Sequence, residues 1–120
     1  MARKYLRLMA EYGYCTLWDE YGAVNQETFP LSPQTKQRLL AWAKIYHESL
    51  NWHDPLATEP WSQEKRKAFE EEGRSLWDQL RHELGNEYDV TYFSEKYRRE
   101  FGNLDELLNL DGDVHNDMLF

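Results

Sequence analysis

Two long amphipathic stretches between residues 30 and 85 constrain the fold more than any other feature of the chain. The second stretch begins near Ser62, has Glu64 in its first turn and ends before Gly85, which suits a left-handed helix-terminating position. Its apolar side chains recur every three or four residues, as on the buried face of a helix: Phe69, Gly73, Leu76, Trp77, Leu80 and Leu84. This pattern predicts a helix over about 62–84, with Gly73 at a close crossing where a side chain would clash.

The first stretch follows Pro30-Leu31-Ser32-Pro33, in which Ser32 is a good N-cap and Pro33 suits the first helical position. It ends before Pro55, because proline disfavours helical geometry at the preceding residue. One apolar stripe runs along it: Leu39, Trp42, Ala43, Tyr46 and Leu50. We predict a helix over about 33–50, antiparallel to the second.

Two other segments alternate apolar and polar side chains, which is the period of a half-buried strand. One covers 4–18, where Gly13 is either a bulge within one bent strand or a turn between two. The other covers 87–93. Ser94 then favours a short helix over 95–101, and 104–110 could add one or two further helical turns.

The order of these elements predicts an α+β fold. A small sheet formed by 4–18 and 87–93 is covered on one face by the two long antiparallel helices, with a short C-terminal helix. At 120 residues the chain fits one globular domain over 1–110, followed by an acidic C-terminal tail over 111–120. The pattern leaves the order and direction of the strands open.

Charge is unevenly distributed along the chain, whose net charge is −8. Lysine and arginine occur only within 3–7, 36–44, 65–81 and 96–99, and acids fill the segments between them, which are mostly loops and termini. Such a surface repels phosphates and attracts cationic partners, so we expect no binding of nucleic acid. The basic run at 65–67 precedes three glutamates and indicates a solvated helix face with pairs such as Arg66–Glu70.

The composition also indicates a compartment. Cys15 is the single cysteine, so no intramolecular disulfide forms, and the N-terminus has no apolar run of signal-peptide length. No stretch has the roughly 20 apolar residues of a membrane span. We therefore expect a cytoplasmic protein, monomeric when free, without a cofactor.

Several short motifs occur in a distinctive combination. In chain order they are Trp18-Asp19-Glu20-x-Gly22, Pro30-Leu31-Ser32-Pro33, Leu40-x-Trp42-Ala43-x-x-Tyr46, Leu50-Asn51-Trp52-x-Asp54-Pro55, Glu72-Gly73-x-x-Leu76-Trp77-x-x-Leu80-x-x-Glu83-Leu84-Gly85 and Tyr88-x-Val90-x-Tyr92. Over about 5–93 the chain resembles small bacterial cytoplasmic proteins. Some of their relatives are encoded beside polymorphic toxins and resemble the immunity proteins of contact-dependent growth inhibition systems. The resemblance implies a toxin-binding protein and brings no catalytic motif with it.

Two predicted connections place a tryptophan beside acids, as in binding hot spots for arginine or lysine. A second interpretation is that both tryptophans close the ends of the core while Asp19 and Asp54 cap or turn the backbone. The predicted partner-binding residues are Trp18, Asp19, Glu20, Tyr21, Trp52, His53 and Asp54, with Asp111 and Asp113 behind them.

The leading hypothesis is an immunity or inhibitor protein that neutralises a basic toxin, which we expect to be a nuclease with a cationic cleft. One alternative is a regulatory or scaffold protein, and another is a small enzyme that uses His53 with nearby carboxylates. A metal site at Asp111, Asp113, His115 and Asp117 is disfavoured, because an EF-hand needs a glycine at its sixth position and a glutamate at its twelfth. We predict no catalytic and no metal-binding residue.

Overall fold

The fold combines a five-stranded mixed sheet with three α-helices, and it was obtained as a computed structural model that describes residues 3–113. The α+β class predicted from the sequence is confirmed. The strands are β1 Lys4–Leu8, β2 Leu17–Asp19, β3 Gly22–Ala23, β4 Tyr88–Ser94 and β5 Arg99–Phe101. The helices are α1 Pro33–His47, α2 Gln63–Leu84 and α3 Leu104–Asp113, with single 3-10 turns at Gln26–Thr28, Pro55–Ala57 and Gly85–Glu87.

The sheet has the order β3-β2-β1-β4-β5, so strands from the two ends of the chain meet at its centre. β1 pairs with β4 in parallel, and the other neighbours are antiparallel. A parallel pair needs a long crossover connection, which here contains α1 and α2. Alternate residues of β1 are buried, namely Leu6 and Leu8, whereas β4 is buried at three consecutive residues, Val90, Thr91 and Tyr92.

The segment predicted as strand over 4–18 forms two strands, β1 and β2. Gly13 and Tyr14 have positive φ angles of 98° and 69°, and the chain reverses direction here between β1 and β2. Arg7 of β1 then pairs with Trp18 of β2. Of the two alternatives for Gly13, the structure therefore has the turn.

The helix predicted over 95–101 is wrong, because this segment forms a turn and the strand β5. Ser94 ends β4, and Tyr92 pairs with Phe101. The Ser94 hydroxyl does accept a bond from the Tyr97 N–H at 3.3 Å, as an N-cap would. Sheet pairing and the complete burial of Phe101 hold the segment in a hairpin instead. The C-terminal helix is α3, which follows at Leu104.

The core lies between α2 and the sheet, with α1 packed against α2. Trp77 donates its indole N–H to the Val90 carbonyl at 2.8 Å, and its ring stacks on Tyr92. Trp42 donates to the Phe69 carbonyl at 3.0 Å. The carboxylate of Glu83, near the end of α2, accepts from the Ser32 N–H at the start of α1. The start of α1 therefore lies beside the end of α2, as in an antiparallel pair of helices.

The close crossing predicted at Gly73 is present. A Cβ atom added there would lie 2.5 Å from the Tyr92 hydroxyl and 2.9 Å from Cζ2 of Trp42. Real Cβ atoms do not tolerate such distances, so glycine is the residue that lets α2 approach both aromatic side chains.

Candidate partner-binding surface

The β2–β3 turn has an internal framework and an exposed tip. The Asp19 carboxylate accepts from the N–H groups of Tyr21 at 2.8 Å and Gly22 at 3.1 Å. Trp18 is half-buried and donates to the Met9 carbonyl at 3.0 Å. Glu20 is exposed, and the Tyr21 side chain is 89% exposed. The tip formed by Glu20 and Tyr21, here called the turn patch, is the part of this connection that a partner can contact.

The α1–α2 connection is organised by Asn51, whose side-chain oxygen accepts from the N–H groups of His53 and Asp54 at 3.1 Å each. Asp54 precedes the 3-10 turn Pro55–Ala57 without a capping hydrogen bond from its side chain. Trp52, His53 and Asp54 are all exposed. Here the asparagine turns the backbone, and the Asp54 carboxylate is left available to solvent.

An exposed group of stacked rings lies beside this connection and was not predicted. His47 stacks on Tyr14 and on Trp52, with ring centroids 4.2 Å and 4.6 Å apart, and Tyr12 packs edge-on against Trp52. His47 also accepts the Gly13 N–H at 2.8 Å through Nδ1. Tyr12, Tyr14, His47 and Trp52 are here called the His47 cluster. No periodic signal in the sequence relates the Gly13 turn to the end of α1.

Trp52 also explains why α1 ends at His47 rather than near residue 50. Its indole N–H donates to the His47 carbonyl at 2.9 Å, thereby satisfying one of the last helical acceptors with a side chain. Although its ring is held in this way, Trp52 remains 53% exposed. Among the described residues no hydrogen bond or ring contact joins Trp52 to Trp18, so the two tryptophans do not form one aromatic group.

A groove of about 380 Å³ opens between the end of α1, the start of α2 and the β4–β5 turn. Its basic side chains outnumber its single acid, which is unusual on so acidic a protein, and we call it the basic groove. Burial and then the Glu95 carboxylate raise the pKa of Tyr46 to about 12, so its hydroxyl stays protonated at neutral pH. The lining residues are Tyr46, Ser49, Trp61, Arg66, Phe69, Glu95, Lys96 and Arg98.

A buried carboxylate connects α2 to the sheet. Glu70 is 4% exposed and accepts from Tyr92 Oη at 2.9 Å, Ser94 Oγ at 2.8 Å and Arg74 Nε at 3.0 Å. The predicted Arg66–Glu70 pair is wrong, because Glu70 pairs with the arginine four residues after it. The face of α2 that carries Glu70 packs on β4, and helical spacing alone does not reveal this contact.

The same network extends to Asp111, which was predicted to lie in a solvated tail. Asp111 lies within α3 and accepts from Arg74 Nη1 at 2.6 Å, from the Tyr97 hydroxyl and from Lys96. This carboxylate is therefore engaged in internal ion pairs. Asp113 ends α3, and residues 114–120 of the predicted tail lie outside the described residues.

The Asp111 carboxylate makes the thermal stability of the protein decrease in acid. Partial burial alone would raise the pKa of its carboxyl, but hydrogen bonds from Arg74 and Tyr97 outweigh burial and lower the pKa from 3.8 to about 2. A carboxylate with a lowered pKa stabilises the fold above its unfolded pKa, and this contribution is lost as pH falls. We expect Tm to decrease between about pH 4 and pH 2, and less steeply in Asp111→Asn, as calorimetry at stepped pH would show. Parallel pH profiles of the two proteins would contradict this ion pair.

The enzymatic alternative needs His53 to pair with a nearby carboxylate, and the described residues do not show such a pair. His53 is exposed, and among the described residues no hydrogen bond joins its ring to Asp54. Within the described part of the chain, no group of three or more His, Cys, Asp and Glu side chains could hold a metal ion. His115 and Asp117 lie outside that part. No described helix is both long and apolar enough to cross a bilayer.

Comparison with known proteins identifies the family. A search of curated proteins gave no match. A family profile described as Serratia CdiI immunity protein-like matches residues 4–95, which include both long helices, the turn patch and the His47 cluster. This match confirms the resemblance to immunity proteins of contact-dependent growth inhibition systems, and it covers well over half of the chain. The protein therefore belongs to the Serratia CdiI immunity protein-like family.

Proposed function

We propose that this protein is a cytoplasmic immunity protein, monomeric when free, which binds a cognate toxin and neutralises it by occlusion rather than by catalysis. Family membership supports the immunity role. The observation that supports a protein-binding surface is that two exposed aromatic rings each lie beside an acid whose carboxylate has no internal partner in the described part of the chain. Tyr21 is 89% exposed beside Glu20, and Trp52 is 53% exposed beside Asp54. Among residues 3–113 neither carboxylate has a side-chain hydrogen bond or ion pair.

The charge of the protein supports a basic toxin, and we propose a nuclease. A nuclease that grips a polyanion presents a cationic cleft, and a protein with a net charge of −8 is attracted to it over long range. Electrostatic steering of this kind raises association rates to as much as about 10⁸–10⁹ M⁻¹s⁻¹ at low salt. Once bound, the immunity protein would exclude the substrate by filling the cleft.

The His47 cluster would supply affinity as well as charge. Tryptophan and tyrosine dominate the binding energy of many interfaces. Here the rings are already fixed, because His47 is stacked on two neighbours and bonded to Gly13. Side chains that are ordered before binding lose less conformational entropy in the complex. The cluster is therefore suited to contact a lysine or arginine of the toxin.

Charge reversal at Glu20 in the turn patch and at Asp54 in the α1–α2 connection should slow toxin binding. In the double variant Glu20→Lys, Asp54→Lys we expect the association rate at low salt to fall about tenfold or more, with a smaller difference at high salt. The control is Asp78→Lys, Glu87→Lys, which changes the net charge equally at two other exposed acids. Stopped-flow mixing with the toxin encoded beside the gene, at two salt concentrations, measures both rates.

The control distinguishes an effect of these two local surfaces on the association rate from an effect of net charge. If both double variants slow association equally, total charge matters and the two named surfaces do not. If the unaltered protein neither binds this toxin nor protects cells that express it, the proposed function is wrong. A nuclease assay of the purified toxin with and without the protein tests the proposed activity of the toxin.

A further inference from the structure

The basic groove gives an acidic protein a local site of opposite charge. Three cations and one carboxylate line it, although the net charge of the chain is −8. We propose that this groove receives a carboxylate side chain of the cognate toxin, so that charge pairs of both signs hold the complex. This inference rests on the proposed function and specifies how the immunity protein would distinguish its own toxin from other basic proteins.

Arg66 is the principal reason for assigning an anionic occupant. It is half-buried in the groove, yet among residues 3–113 its guanidinium has no side-chain hydrogen bond or ion pair. The other two cations of the groove have carboxylates nearby, since Arg98 contacts Glu95 and Lys96 contacts Asp111. A partly desolvated guanidinium presents a planar fork that binds a carboxylate through two hydrogen bonds. Arg66 is thus positioned to bind one from a partner.

Arg98 provides a second observation, in the β4–β5 turn that lines the groove. Its φ is 56°, in the left-handed region that glycine or asparagine adopts more readily. The turn requires this backbone, because the Arg98 N–H closes it by donating to the Ser94 carbonyl at 2.7 Å. Its side chain is 68% exposed, although the guanidinium contacts Glu95 and lies over the Phe93 ring. Strained backbone conformations cluster at binding and active sites, so this one supports a binding role for the turn.

The walls of the groove would strengthen such a charge pair. Trp61 packs against Phe69 at 4.9 Å and against Tyr46 at 6.3 Å between ring centroids. These rings are fixed by one another and exclude water from one side of the groove. Charges interact more strongly where water is excluded, and the Tyr46 hydroxyl offers an additional donor to a carboxylate.

The decisive variant is Arg66→Glu, because the proposal and simple steering predict opposite results. The substitution makes the protein more acidic, so steering alone would bind a basic toxin faster. A carboxylate in the groove would instead be repelled, and we expect toxin affinity to fall about tenfold or more, the equivalent of losing one charge pair. The control Lys44→Glu changes the charge equally at an exposed site on α1 and should leave affinity unchanged or higher.

Arg98→Gly tests the rim and separates binding from folding. Glycine relieves the left-handed backbone, so we expect an unchanged or higher Tm together with about fivefold weaker binding, as for a rim charge. Affinities from titration calorimetry and Tm from scanning calorimetry supply both readouts. Toxin binding by Arg66→Glu as tight as by Lys44→Glu would overturn the proposal, as would unchanged binding by Arg98→Gly.

Two further outcomes distinguish this inference from the proposed function. Failure of the unaltered protein to bind the toxin contradicts the function itself. Normal toxin binding by both groove variants contradicts only the groove. If, in addition, inorganic phosphate binds the free protein and Arg66→Glu abolishes that binding, the groove belongs to a free anion and not to a toxin carboxylate.

Discussion

Replacing Glu70 by alanine should destabilise the protein by about 3–5 kcal/mol in the free energy of unfolding, the range for breaking a buried ion pair. Glu70 accepts hydrogen bonds from Tyr92, Ser94 and Arg74 and is 4% exposed. Without its carboxylate, two buried hydroxyls and Nε of Arg74 lose their acceptor together. Such unsatisfied groups incur their desolvation cost without compensation. Urea unfolding monitored by tryptophan fluorescence measures the change.

The neighbouring glutamate is the matched control. Glu71 is exposed, so Glu71→Ala should change stability by no more than about 0.5 kcal/mol. A double-mutant cycle with Arg74→Ala should also show strong non-additivity, because the two side chains share one network. Equal and small effects of Glu70→Ala and Glu71→Ala would show that Glu70 is solvated in solution and that the network does not form.

Gly73→Ala should destabilise the protein by about 1–3 kcal/mol, as expected for overpacking a core. Helix propensity alone predicts the opposite sign, since alanine is favoured over glycine by about 1 kcal/mol in a helix interior. Here the added methyl group would lie 2.5 Å from the Tyr92 hydroxyl and 2.9 Å from Trp42. Neither group can move freely, because Tyr92 is bonded to Glu70 and Trp42 to the Phe69 carbonyl.

A second helical glycine supplies the comparison for this substitution. Gly112 lies in α3, and an added Cβ would have no atom within 4 Å. Because Gly112 lies in the last turn of α3, Gly112→Ala should stabilise the protein by at most about 0.5–1 kcal/mol, the range for a glycine in the middle of a helix. Opposite signs at the two positions, measured by urea unfolding, are the expected result. Stabilisation by Gly73→Ala would mean that α2 does not approach β4 as closely as the structure shows.

Features with local signals were predicted well. Ser32 caps α1 by accepting the Thr35 N–H at 3.1 Å, and Pro33 is the first helical residue. The second long helix spans Gln63–Leu84, close to the predicted 62–84. Capping residues and apolar periodicity act between residues that are close along the chain, so the positions of these helices can be predicted from the sequence.

Features that depend on distant contacts were missed or, like the direction of the strands, left open. The Ser94 hydroxyl accepts a hydrogen bond from the Tyr97 N–H, and such a bond occurs both at the start of a helix and in a turn. Only the pairing between β4 and β5 selects the turn. The parallel pairing of β1 with β4 joins residues more than 80 positions apart. Helical spacing suggested Arg66 as the partner of Glu70, but packing on β4 buries Glu70 with Arg74.

For the candidate binding surface, the sequence by itself determined the family, the acidic character and the aromatic–acid connections, because motif order and charge are properties of the chain. Only the tertiary structure decided which acids remain available to a partner. Asp111 is used internally by Arg74, and Asp19 by its own turn, whereas Glu20 and Asp54 are exposed. The His47 cluster and the basic groove also required the folded protein. Each is assembled from segments far apart along the chain, and their proximity depends on how the helices pack with the sheet.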